Sequence, residues 1–77
     1  HILSVRHQNR PGVLAHVFQV VADGGGNVEE VENIAYHGAE AACARIQVSS
    51  APSAAALHAI RSGNANVISV EVTPISP

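Results

Sequence analysis

The stretch from residue 27 to residue 48, NVEEVENIAYHGAEAACARIQV, decides the fold. Its second half alternates cleanly: Ala42, Ala44, Ile46 and Val48 take one side and Cys43, Arg45 and Gln47 the other, which is the period of a half-buried strand. The first half, Asn27 to His37, is less regular, because Val28 and Val31 are three apart while Ile34 and Tyr36 are two apart. A strand with a bulge or a twisted entry fits that spacing best. Gly38 supplies a turn, so two strands follow one another as a hairpin with no helix between them.

Helical patterns flank this hairpin. Upstream, Leu14, Val17, Phe18 and Val21 form one apolar stripe of a helix running to about Asp23, where Gly24, Gly25 and Gly26 stop it. Pro11 suits the first helical position, with Asn9 or Arg10 before it as the cap. A polar loop from His7 to Arg10 precedes it, and His1 to Arg6 alternate as a first strand. Downstream, Ser50, Pro52 and Ser53 mark the start of a second helix, which carries Leu57 and Ile60 through Arg61 and ends at Gly63 and Asn64. Val67 to Thr73 reads as the last strand, with Ile68, Val70 and Val72 facing one way; Pro74 and Pro77 close regular structure.

The order β-α-β-β-α-β predicts an α+β, ferredoxin-like sandwich: residues 1–73 as one domain with four antiparallel strands in one sheet and two helices on one face, and residues 74–77 as a tail. Right-handed crossovers place the first and third strands in the centre and the second and fourth at the edges. A domain of 77 residues buries only about 60% of its unfolded surface. An open edge therefore invites pairing with a second copy.

Composition narrows the function. The net charge is −2, and the basic residues Arg6, Arg10, Arg45 and Arg61 are scattered, so there is no basic stripe for nucleic acid or for an anionic membrane. No apolar run approaches the roughly 20 residues that span a bilayer, and no signal peptide is legible. The single Cys43 makes no internal disulfide, and a cytoplasmic, reducing location is expected. One cysteine also rules out iron–sulfur ligation and a Cys-x-x-Cys metal carrier. His1, His7, His16, His37 and His58 lack metal-ligand spacing, and Glu29, Glu30 and Glu32 read as a solvated cluster, so no metal site is expected. The third strand offers no aromatic residues on which RNA bases could stack. No nucleophile and base pair is evident, so no catalytic residue is assigned. The absence of a start methionine before His1 suggests a piece of something longer.

What remains is the run His7-Gln8-Asn9-Arg10-Pro11-Gly12-Val13-Leu14, leading into a helix N-terminus. Free backbone N–H groups and the positive end of the helix dipole attract a carboxylate. Gly12 lets a ligand approach the backbone, and Asn9 and His7 offer the donors and acceptors that hold an amino group or a hydroxyl. Binding through His7 is expected to vary with pH over the range in which imidazoles titrate. Asn27 lies beyond the helix, about 20 Å from Asn9 at 1.5 Å per residue. The two can serve one small ligand only across a symmetric dimer.

The His-x-Asn-Arg-Pro-Gly-Val-Leu run, Gly25 to Val28 as Gly-x-Asn-Val, Ala42 to Ile46 and the Pro-Ser start of the second helix together resemble an ACT domain over residues 1 to 73. The run Asn27-Val28-Glu29-Glu30-Val31-Glu32-Asn33-Ile34 is similar, more narrowly, to the C-terminal regulatory domain of D-3-phosphoglycerate dehydrogenases. That resemblance implies two domains paired edge to edge, with L-serine at the interface. His7 and Asn9 of one protomer and Asn27 of its neighbour would contact it, with Arg10, Pro11, Gly12, Val13 and Leu14 shaping the loop. It implies no cofactor in this domain and NAD in a parent oxidoreductase of serine biosynthesis. Gly26 departs from the pattern, which usually has Ile or Val there, and puts ligand affinity in question. The other reading is a structural oligomerisation module with a degenerate site, or an ACT domain of another protein of amino-acid metabolism.

Overall fold

Six elements follow one another in a computed structural model of the chain: β1 (Ile2–Gln8), α1 (Val13–Asp23), β2 (Val28–Ala35), β3 (Ala41–Val48), α2 (Ala54–Ser62) and β4 (Val67–Thr73). The structure describes residues 1–35 and 40–74, so the expected turn at Gly38, together with Tyr36, His37 and Pro77, lies outside the described residues. The four strands form one sheet in the order β2-β3-β1-β4, antiparallel at every pairing, as the element order requires. Among the described residues no helix is long and apolar enough to cross a membrane.

Strand alternation sorts the side chains onto two faces. Leu3 and Val5 of β1, with Ala42, Ala44, Ile46 and Val48 of β3, are buried on the helix-facing side. Arg6 and Arg45 project from the opposite, open face, where Glu32 lies directly across from Arg45. That opposite-charge pair suits a solvated sheet face. The helices close the other side, and Val13, Val17, Val21 and Ile60 meet the strands in one core. Phe18, the only Phe, packs at its margin with Leu14 and Leu57.

Two boundaries and one register differ from the sequence reading. α1 begins at Val13, not Pro11, with Gly12 rather than Asn9 or Arg10 at the N-cap, so its buried stripe centres on Val13, Val17 and Val21. The cause is the left-handed Gly12 (φ 85°), which turns the chain after Pro11 and postpones the first helical residue. β1 continues through His7 and Gln8, because Ala42 and Ala41 pair with them. In β4 the register against β1 shifts between Arg6 and His7, so Val67 enters the core while Ile68 stays 48% exposed. A bulge adds a residue, and the alternation that put Ile68 with Val70 and Val72 fails there. Where the sequence allowed a bulge or a twisted entry in the second strand, the register against β3 shifts between Val28 and Glu30.

Candidate functional site

The loop between β1 and α1 is anchored at its root on both sides. Gln8 N–H donates to the Asn66 carbonyl at 2.7 Å, Asn9 N–H to the Glu40 carbonyl at 2.7 Å and Arg10 N–H to the Gln8 carbonyl at 2.8 Å. Asn9, Arg10, Pro11 and Gly12 are all exposed. Gly12 gives α1 no side-chain cap, and no acidic residue stands in the first turn. α2 differs, since the Ser53 hydroxyl accepts from Ala56 N–H at 3.1 Å. The first N–H groups of α1 therefore point out of the helix without a capping oxygen, beside two exposed polar side chains. Such an end attracts a carboxylate.

Val13 and Leu14 belong to the same turn but serve the core: Val13 is 1% exposed and Leu14 packs against the cluster.

His7 lies beneath the loop. It is 2% exposed, on the buried side of β1 in line with Leu3 and Val5. Its Nδ1 donates to the Gln8 carbonyl at 2.9 Å, since a backbone carbonyl can only accept. Nε2 lies 3.1 Å from the side-chain amide of Asn33 on β2. If the ring is neutral, Nε2 accepts from the Asn33 NH₂ group; if it is doubly protonated, Nε2 donates to the amide oxygen. Either way both nitrogens are satisfied within the chain.

Asn27 sits at the far end of α1. The eleven residues of that helix span about 16 Å. Its backbone is clamped reciprocally by Ser49, whose hydroxyl accepts from Asn27 N–H at 3.0 Å and whose N–H donates to the Asn27 carbonyl at 3.0 Å. The side chain is left exposed. Within one chain the structure thus gathers His7, Asn9, Arg10, Pro11, Gly12, Val13 and Leu14 at one end, and places Asn27 at the other.

Gly26 has a local reason. A Cβ there would lie 3.1 Å from Val21 Cγ1 and 3.3 Å from the Val21 carbonyl, which itself accepts from Gly26 N–H at 3.0 Å. Val21 fills the space that a larger residue at 26 would need. Above them, a depression of about 160 Å³ separates the end of α1 from the start of α2.

Asn33 is the residue that sequence reading passed over. It stands on the helix-facing side of β2, opposite buried Ala44, where alternation calls for an apolar side chain. A polar residue at an inward position was the available signal, because such a group needs a partner. Among the described residues no cluster of His, Cys, Asp and Glu could hold a metal ion.

No curated protein matches the chain. A family model described as an AHAS small subunit-like ACT domain matches residues 3–62, from the first strand through the second helix. With the ferredoxin-like sheet order and the uncapped loop-to-helix turn in place, the chain belongs to the family of AHAS small subunit-like ACT domains.

Proposed function

We propose that this chain is an amino-acid-sensing regulatory domain that acts as a pair and carries out no chemical step itself. The observation that carries this reading is the uncapped N-terminus of α1 beside exposed Asn9 and Arg10, an arrangement suited to a carboxylate with a polar neighbour. The ligand's carboxylate meets the N–H groups of that turn, and Asn9 meets its amino group or hydroxyl. Asn27 comes from the second copy, because it lies a helix length away within its own chain.

β2 is the pairing edge in this reading. Every residue from Glu29 to Ala35 is exposed, and Val31 and Ile34 leave 40% and 39% of their surface open, one on each face of the strand. Unpaired edge groups beside apolar side chains favour strand addition. Val31→Lys is expected to convert a dimer to a monomer in gel filtration at micromolar concentration. A variant that stays dimeric would place the interface elsewhere.

L-serine is the first ligand to test, on the residue types His7, Asn9 and Asn27 that resemble those of phosphoglycerate dehydrogenase regulatory domains. The matched family description favours instead a parent of the AHAS small-subunit kind, for which a different amino acid is the natural second ligand in the same experiment. Calorimetry on the dimer is expected to show binding that weakens at least tenfold in Asn27→Ala. That corresponds to about 1.4 kcal/mol or more, within the range for one hydrogen bond to a charged group.

A second reading, assembly without sensing, is favoured by the burial of His7, whose ring nitrogens are both engaged inside the chain. A dimer that binds no amino acid at millimolar concentration would select it.

A further inference from the structure

The Gln8 carbonyl is a shared acceptor. It takes the Arg10 N–H of the exposed loop at 2.8 Å and the His7 ring Nδ1–H at 2.9 Å, one for each lone pair. The other nitrogen of that ring, Nε2, is bonded to the Asn33 side chain at 3.1 Å, across the sheet and 26 residues away in sequence. Three hydrogen bonds therefore run from the exposed edge strand β2, through a buried ring, to the first turn of the loop that presents the α1 N-terminus.

The geometry points to Asn33 as a positioning residue for the β1–α1 loop. By holding Nε2, Asn33 fixes the plane of the imidazole, and the fixed ring keeps Nδ1–H on the Gln8 carbonyl. That carbonyl in turn holds Arg10 N–H and so sets the path of the chain into Pro11 and Gly12. The ring is enclosed by the core and has little freedom of its own. Its orientation still needs Asn33, because a buried imidazole with one unpaired nitrogen gains by turning toward another partner or toward water. Asn33 is exposed on its strand, so it lies where a neighbouring strand would pass. The pairing edge and the ligand loop are linked through this one side chain. This link rests on the sensing reading only in its last step, the effect on ligand affinity.

The test separates the two. In the 77-residue chain, Asn33→Leu removes the partner at similar volume, and Asn33→Asp retains an oxygen but supplies only acceptor atoms. Nitrogen-15 NMR of the His7 imidazole and the temperature dependence of the Arg10 amide proton are read in each. In Asn33→Leu the expected result is a changed His7 nitrogen pattern, together with an Arg10 amide that behaves as solvent-exposed. Asn33→Asp is expected to restore the bonded Arg10 amide, with both His7 nitrogens protonated. A role for Asn33 in strand stability alone would leave the Arg10 amide and the His7 nitrogens as they are in the unmodified chain, and that result overturns the proposal. L-serine calorimetry on the same variants should show at least a tenfold loss in Asn33→Leu and recovery in Asn33→Asp. Absence of serine binding by the unmodified chain would count against sensing, while the NMR readouts would still decide the role of Asn33.

Discussion

Ile46→Ala is expected to remove about half or more of the domain's stability at room temperature. Ile46 is fully buried in β3 and stands between Leu3 of β1 and Val31 of β2, so it joins the central strand pair to the edge. Removing its outer carbons costs about 2–5 kcal/mol, through lost transfer energy and the cavity left behind. The surrounding core is built from small side chains such as Val5, Ala44 and Val48, which cannot swing far enough to fill the gap. A domain near 80 residues has a total stability of only about 5 kcal/mol, so one such loss consumes most of it. Urea unfolding at fixed protein concentration, followed by circular dichroism, reads the result as a lower midpoint. Glu71→Gln, on the exposed face of β4, should shift stability by no more than about 0.5 kcal/mol and serves as the control. A loss below about 1 kcal/mol for Ile46→Ala would show that the core lies elsewhere.

Gly63→Ala is the second large effect, and its cause is steric rather than conformational. Gly63 caps α2 with φ −79°, a value open to any residue, and its N–H donates to the Ala59 carbonyl at 2.9 Å. An added Cβ would stand 2.6 Å from that carbonyl oxygen and 2.7 Å from His16 Cε1. His16 reaches across from α1, where its Nε2 donates to the Ile60 carbonyl at 3.2 Å. That carbonyl belongs to the last turn of α2, where acceptors lack helical partners. The new methyl group must therefore push the ring off its bond or lift the end of α2 from α1. Overpacking of this kind costs about 1–3 kcal/mol. Repeating Gly63→Ala in a His16→Ala background should recover part of the loss, with a coupling of about 0.5–3 kcal/mol as expected for residues in contact. Strict additivity would mean that the ring is not what the methyl group meets.

Both effects bear on the proposed pairing. A chain with so small a core gains stability from any partner that binds the folded state and not the unfolded one. If two copies add strands at β2, Val31 and Ile34 leave water, and a core that is thin in one copy becomes part of a wider sheet. An amino acid held at the α1 N-terminus of one copy and by Asn27 of the other would then favour one arrangement of the pair. A coupling of about 1–3 kcal/mol is the usual size of such an effect.

The sequence by itself determined the order of elements, the central and edge strands and the helix ends at Ser53, Gly24 and Gly63, because each rests on local chemistry: a two-residue period, a capping hydroxyl, a stop signal. It also pointed to an ACT domain, through residues that stand close together in the chain, though not to the AHAS small subunit-like kind that the family match gives. Only the tertiary structure decided where His7 points and what it touches. Read locally, His7 opens a polar loop; in the sheet it extends β1 opposite Ala42, and its ring meets Asn33 of β2. Nothing within a few residues of either side chain specifies that meeting, because it depends on how β2, β3 and β1 align. The same holds for Ile68, exposed by a shift in register against β1, and for Gly12, whose left-handed turn moved the start of α1. Periodicity is a property of one segment, whereas register is settled between segments by the packing of all of them at once.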